Sequence, residues 1–312
     1  MEVSGAKEPP MAGDDTERGS APARSKRRFA ITGADRCVGV LDAFVQNGWE
    51  PLTLFTMPTD DVLDTNTTIV RRAQELGMRI QMSRIDERAL AHLADVGCDV
   101  LVVAGYPCRI EGWQRHVSFA VNFHPSLLPR YRGPHPLVHA ILNDEQTWGV
   151  TCHRLADDID CGDILAQRGF ALAADECHES LDLKVQMCAR TLAAEIARDF
   201  DRLWALARPQ DEGTYQKRWT LEERTLDFHR TARELARQLR AFGRIECLAT
   251  INDVCVHVSR AVTWCEKHSH APGRVVHADG LNMVVSCQDG YVGILEWHMF
   301  PPGAPTTSRR HR

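Results

Sequence analysis

The chain lacks any apolar run approaching the roughly 20 residues that a membrane-spanning helix requires. That excludes a helical membrane protein. Its opening segment, MEVSGAKEPPMAGDDTERGSAPARSKRR, has charges and prolines where a secretory signal carries an apolar stretch. Export is therefore not indicated, and a cytoplasmic location with no membrane partner is expected. The eleven cysteines include no C-x-x-C pair, which argues against zinc ribbons and thioredoxin-like redox centres. An odd number of cysteines in so large a chain is no disulfide framework. Cys98, Cys188 and Cys255 lie in apolar runs, where a free thiol behaves as a small hydrophobe. The segment ITGADRCVG holds Gly33 and Gly39 but neither G-x-G-x-x-G nor Walker A spacing. A turn glycine after a strand explains Gly33 without a nucleotide.

What is present is the composition of a globular protein: 312 residues, 44% hydrophobic and 25% charged. That length predicts one large domain and a smaller one. The net charge of -5 is unevenly placed: residues 218–312 carry +3 and the remainder -8. A basic appendage on an acidic body hints at an anionic partner.

From Arg28 onward, short β-like runs alternate with helical segments. RFAIT (28–32) reads as a strand and CVGVLDAFVQNG (37–48) as its helix. PLTLFTM and TIVRRAQELG, then MRIQ and ERALAHLADVG, repeat the pattern. CDVLVVAG (98–105) is a continuous apolar run of the kind buried on both faces of a parallel sheet, and AVNFH (120–124) follows as a fifth strand. The order predicts an α/β protein with a Rossmann-like open, mostly parallel sheet, whose ligands bind beyond the carboxyl ends of the strands. A helix near 135–143, two more strands and a long helix over roughly 178–207 complete the region. ARPQDEGTYQKR (207–218) lacks periodicity and reads as a linker. Beyond it, one amphipathic helix and strands separated by Asn, Asp and Gly turns predict a small β-barrel-like domain. The expected division is a disordered leader over 1–27 (with Met11 as an alternative start), a catalytic domain over 28–207, a linker over 208–221, a β-rich domain over 222–302 and a disordered tail over 303–312.

The chemistry concentrates in VNFHPSLLPRYRGPHPLVHAILNDEQTWGVTCHRLADDIDCGDILAQ. Asn122 and His124 are two apart and share one face of a strand end. A carboxamide N–H stabilises a developing oxyanion, and an imidazole moves protons near neutral pH. Asp160, in DDIDCGD, is placed in sequence to orient that imidazole and favour its cation. Cys108 and Cys161 lie close in sequence but have no adjacent base to activate a thiolate. His135 and His139 have the i, i+4 spacing of a metal pair, yet no third ligand is evident and Pro136 intervenes, so loop and surface roles are expected and no metal. Arg130 and Arg132 read equally as an anion clamp or as solvated loop charges.

The string NFHPSLLPRYRG followed by GVTCHRLADDIDCGDIL closely resembles the folate-dependent formyltransferase family. The resemblance is strong over 100–207, looser over 28–100 and moderate beyond about 222, where the chain is similar to the C-terminal domain of methionyl-tRNA formyltransferases. It implies that Asn122, His124 and Asp160 are the catalytic residues and 10-formyltetrahydrofolate the donor, without a metal. It also implies that Ser126, Leu127, Leu128 and Pro129 contact the folate, that Arg109 and Ile110 of GYPCRI present backbone groups to the pterin, and that Asp157, Asp158 and Ile159 complete its pocket.

The acceptor is less constrained. Arg230, Arg233, Arg237, Arg240 and Arg244 follow helical spacing and would form a basic stripe suited to phosphates. Against tRNA stands PTDDVLDTNTT after the second strand, with three Asp where tRNA-binding relatives are basic. The expected function is therefore an N-formyltransferase acting on a small amine, an amino sugar nucleotide or a hydroxyornithine-like compound. Methionyl-tRNA is the alternative acceptor; hydrolysis of the formyl donor and a non-catalytic binding role are further rivals. The sequence gives no oligomeric state.

Overall fold

The computed structural model describes residues 26–59 and 65–299. The first region runs β1 (Arg28–Thr32), α1 (Val38–Gln46), β2 (Glu50–Phe55), α2 (Thr67–Glu75), β3 (Arg79–Gln81), α3 (Glu87–Asp95), β4 (Val100–Ala104), β5 (Phe119–His124), α4 (Pro136–Leu142), β6 (Thr147–Arg154), β7 (Ile164–Ala171) and α5 (His178–Ala205). The second runs α6 (Leu221–Arg224), α7 (Ala232–Glu246), β8 (Leu248–Ile251), β9 (Val254–Cys265), β10 (Val275–Ala278), β11 (Met283–Ser286) and β12 (Gly290–Met299).

Seven strands form one sheet in the order β3-β2-β1-β4-β5-β6-β7. The first five are parallel, while β6 and β7 return antiparallel. The apolar β4 is buried at all five positions, as expected of a strand covered on both faces. One face packs on α1 and α5 around Phe29, Phe44, Val102 and Leu192. The other packs on α3 through Ala89, Leu90 and Leu93 against Phe55, Leu101 and Ala120. The α3 N-terminus is capped by Asp86, whose carboxylate accepts from Ala89 N at 2.9 Å. The long α5 is interrupted at Asp199, whose backbone is non-helical.

The second region is a five-stranded antiparallel sheet, β10-β11-β12-β9-β8, curled into a half-barrel. The apolar stretch starting at Ala249 is a hairpin: Asn252 and Asp253 take φ of 49° and 65°, the left-handed pair that a two-residue turn between twisted strands demands. Thr231 and Glu234 form a reciprocal capping box at the start of α7. The buried apolar cluster continues without a break from the first region into this one, through Leu235, Phe242 and Val258.

Two expectations change in three dimensions. The aperiodic segment 207–218 does not run free. Arg208 exchanges backbone hydrogen bonds with Ile164, and Arg132 exchanges them with Thr214 and Gln216. The arginine series is not one solvent-facing stripe either. Arg230 precedes α7, Arg237 reaches across to Asp144 (3.2 Å), and Arg240 has its Nε buried. Tertiary docking, which periodicity alone does not reveal, has claimed that helix face. The acidic positions Asp60, Asp61 and Asp64 lie outside the described residues.

Candidate active site

Strand β5 ends in the middle of the sheet, where parallel pairing with β4 gives way to antiparallel pairing with β6. Asn122 and His124 project from that end on one face. The chain then turns through Pro125–Pro129, with a cis peptide between Leu128 and Pro129. Ser126 is buried and donates to Arg130 O (2.8 Å). Thr151 Oγ1 donates to Ser126 O (2.7 Å) and accepts from Leu128 N (3.1 Å), while Gln167 donates to Leu128 O (2.7 Å). The loop is thus fastened to β6 and β7 at each turn.

Asp160 is carried back to the β5 end by the turn after β6, in a left-handed conformation with φ 57°. Its Oδ2 stands 3.4 Å from His124 Nδ1 and accepts from Gly133 N (2.8 Å); its Oδ1 accepts from the Asn122 amide (3.2 Å). The other Asn122 amide contact is His153 Nε2 at 3.1 Å. His153 Nδ1 lies 2.8 Å from Arg154 O, a partner that must accept. The ring therefore carries its proton on Nδ1 and receives the Asn122 N–H on Nε2. By the same logic His124 Nε2 donates to Tyr131 O (2.8 Å), leaving the Nδ1 lone pair toward Asp160.

These groups are shielded from water: His124 is 5% exposed and the Asp160 side chain 10%. Burial pulls the His124 pKa below its ordinary value, with Asp160 and the Tyr131 carbonyl opposing and His153 assisting the shift. For Asp160, burial pushes upward. The His153 and His124 rings, which favour the carboxylate when they carry a proton toward it, and the Gly133 N–H outweigh it, and its pKa falls below the ordinary carboxylate value. The resting cluster holds a carboxylate beside a neutral imidazole, a pair able to take up one proton and stabilise it.

The residues expected from the sequence to contact folate lie in three separate loops, after β4, after β5 and after β6. Arg109 is exposed, while Ile110 buries its side chain among Trp113, Val117 and Ala120. Asp157, Asp158 and Ile159 are exposed, and Gln114 donates to Asp157 (3.4 Å), joining the loop after β4 to the loop after β6. Leu127 is half-buried against Gly149, and Leu128 is fully buried. Among the described residues no group of three His, Cys, Asp or Glu side chains is arranged to hold a metal ion.

Residues 55–195 match the formyl transferase family, and residues 218–300 match the C-terminal domain of formyl transferases, together well over half of the chain. The chain belongs to the formyl transferase family. The methionyl-tRNA formyltransferase of Chromobacterium violaceum is 29% identical over 240 residues, covering 70% of this chain and 78% of that one. The Burkholderia thailandensis methionyl-tRNA formyltransferase is 29% identical over 248 residues, covering 74% and 75%. An N-formyltransferase from Helicobacter canadensis, crystallised in complex with folinic acid and dTDP-3-aminofucose, superposes with a TM-score of 0.62 at 16% identity, covering 88% of this chain and 100% of that one. HypX from Aquifex aeolicus, in complex with tetrahydrofolic acid, gives 0.62 at 18% identity over 88% and 44%. Those two likenesses are of fold.

The formyltransferase cluster also contains groups that the sequence reading passed over. His153 faces Asn122 across the β5–β6 ladder. Its signal was present, since TCHR falls in a strand whose partner is the Asn-bearing strand, but only the register reveals the meeting. Gln210, in the aperiodic stretch, donates to Asp160 O (2.9 Å) and Gly162 O (2.7 Å), and its Oε1 accepts from Arg132 (2.8 Å). Arg132 is thereby committed to holding that segment, while Arg130 pairs with Glu145. His139 is a helical residue rather than a loop or surface one: its ring stacks on Trp219 at 4.3 Å.

Proposed function

We propose that this formyltransferase moves the formyl group of 10-formyltetrahydrofolate onto the amine of a small metabolite, an amino sugar nucleotide or a hydroxyornithine-like amine, with Asn122, His124 and Asp160 as catalytic residues. The observation that carries the reading is the buried Asn122–His153–Asp160–His124 network at the end of β5. The donor assignment is supported by family membership, by the loop 126–129 that follows His124 and by the turn 157–159 that precedes Asp160. Arg109, Ile110, Ser126, Leu127, Leu128, Pro129, Asp157, Asp158 and Ile159 are the proposed folate contacts, with the buried Ile110 and Leu128 side chains leaving backbone groups to face the ligand.

The transfer is direct. The acceptor attacks the formyl carbon as a neutral amine, and its proton passes to the imidazole of His124. The tetrahedral oxyanion is stabilised by the Asn122 amide, which exchanges one of its two present contacts for the substrate oxygen, and by the imidazolium. Asp160 stabilises that cation and directs the proton onward to the departing folate nitrogen. The new C–N bond to the acceptor forms as the bond to folate breaks, so no covalent enzyme intermediate is needed.

A second acceptor has a specific observation in its favour: the sequence relatives described above are methionyl-tRNA formyltransferases. The arginines of α7 weigh against it, because Arg237 pairs with Asp144 and Arg240 Nε is buried, whereas counterion release needs many free cationic contacts. Formyl transfer to initiator methionyl-tRNA, measured beside a panel of amino-sugar nucleotides and hydroxylated ornithine, decides between them. Efficient formylation of the tRNA at physiological salt overturns the small-amine reading. Formyl release without any acceptor would instead indicate a hydrolase.

A further inference from the structure

Between the loop after β5 and the start of α4, Tyr131 (φ 62°) and Gly133 (φ 94°) both take left-handed backbone angles. Glycine adopts them readily. For a bulky residue such as Tyr131 they are unfavourable and persist only where the surroundings impose them. At both positions the result is a backbone group aimed at the reacting pair. The Tyr131 carbonyl accepts from His124 Nε2 (2.8 Å), and the Gly133 N–H donates to Asp160 Oδ2 (2.8 Å). One short segment thus offers an acceptor to the imidazole and a donor to the carboxylate.

The contacts that impose the Tyr131 conformation lie away from the catalytic side chains. Its backbone N–H donates to Thr214 Oγ1 (2.9 Å). Its buried phenol donates to the Glu145 carboxylate and accepts from Asn143 Nδ2 (3.1 Å). The ring centroid stands 4.9 Å from that of Trp148 and 6.2 Å from that of His139. Asn143 and Glu145 follow directly on the end of α4. The side chain is therefore gripped at its far end, and the carbonyl is left with one direction to face.

We infer that Tyr131 is a positioning residue for the formyl transfer proposed above: its carbonyl holds the His124 proton on Nε2 and keeps Nδ1 open to the acceptor's proton. A neutral imidazole has one N–H to share between two acceptors. Asp160 Oδ2, 3.4 Å from Nδ1, competes for it, and a carboxylate is the stronger acceptor. The proton stays on Nε2 because the Tyr131 carbonyl is fixed and closer. Were it drawn to Nδ1, the lone pair would face the Tyr131 carbonyl and the ring could not serve as a base. With Nδ1 open, the proton leaves the amine nitrogen for Nδ1, and the new N–H meets Asp160.

The test is the ring 15N spectrum of the full chain labelled in histidine, recorded at about pH 8, where an ordinary imidazole is neutral. The His124 signals are those missing from His124→Ala. Wild type should carry the proton on Nε2. Tyr131→Phe keeps the ring and loses the bonds to Glu145 and Asn143. It should shift the proton toward Nδ1 and lower kcat roughly ten-fold, the effect of one hydrogen bond, with the donor KM within about two-fold. Tyr131→Ala should shift it further and cost at least about 100-fold in kcat, toward the loss that a wrong tautomer brings. If Tyr131→Ala does not fold, Tyr131→Phe decides. A wild-type proton on Nδ1, or an unshifted tautomer in a folded variant, overturns the inference. So does wild-type kcat in a variant whose tautomer has shifted. The spectra need no substrate, so they test the hold on His124 separately from its catalytic role, which the turnover of His124→Ala tests.

Discussion

His153 stands directly across the antiparallel ladder from Asn122, and its unprotonated Nε2 receives the Asn122 amide at 3.1 Å. A carboxamide free to rotate presents either its oxygen or its nitrogen to a substrate. Anchored between His153 and Asp160, this one has its nitrogen fixed at the strand end with both N–H groups engaged, so one contact must be exchanged for a substrate oxygen. Replacing His153 with Leu should therefore leave the donor KM close to wild type and lower kcat roughly ten-fold, the effect of one lost hydrogen bond in the transition state. His153→Gln, which retains an acceptor, should recover part of that loss. Equal kcat in the Leu variant would show that the contact does not orient Asn122.

The catalytic roles make a larger claim. His124→Ala should reduce turnover by at least about 100-fold, the lower range for a positioned acid–base group. Asn122→Ala should cost on the order of 100-fold or more through oxyanion stabilisation. Both proteins should fold, as read by circular dichroism. Near wild-type turnover in either variant contradicts the mechanism.

Acid should destabilise the fold, starting near neutrality. Burial lowers the pKa of His124 in the folded state, with Asp160 opposing, and burial lowers that of His139, assisted by His135. Each has an ordinary value of 6.5, so below that pH the unfolded chain binds protons more readily and stability falls. Asp160, held below its ordinary 3.8, adds a further loss as pH drops through its folded value. Melting temperatures recorded from pH 8 to 5 should decline below about 6.5. His139→Phe, which preserves the stack on Trp219 and removes the unpartnered Nε2, should shallow that decline. A flat profile in the wild type refutes the assignment.

Gln210 should matter to catalysis without approaching the reacting atoms. Its amide ties together the Asp160 and Gly162 carbonyls and the Arg132 guanidinium. Gln210→Ala should lower stability by about 1–3 kcal/mol and reduce kcat more than it raises KM, as expected if Asp160 loses its register with His124. Urea denaturation and steady-state kinetics on one preparation check both parts.

Reduced folates should raise the melting temperature, because a ligand that binds only the native state stabilises it by mass action. Nicotinamide dinucleotides should not. The opposite result would remove the donor assignment.

Much of this was legible in the chain itself. The apolar VLVVA announced a strand buried on both faces, and the N-x-H spacing put two functional groups on one side of the next strand. Both are local patterns, and local geometry decides them. His153 and Gln210 were not legible in the same way: one depends on a strand register set 31 residues away, the other on where an aperiodic segment settles. The arginines of α7 show the converse. Their helical spacing is real, yet the partners that claim Arg237 and the burial of Arg240 Nε come from packing against other parts of the fold.

The strap formed by residues 208–216 has a consequence for how this protein can be taken apart. Thr214 and Gln216 extend the backbone pairing of Arg132, and a Cβ on Gly213 would come within 2.1 Å of Pro129 O. The strap lies before the second family match at residue 218, yet it is moulded to the loop that follows β5. A chimera that grafts a relative's C-terminal domain onto this chain should therefore be joined after Arg218, carrying the strap with its native loop. A junction at Ala207 would give the Asp160 turn a foreign brace, and the hybrid would inherit the fold while losing the alignment on which its chemistry depends.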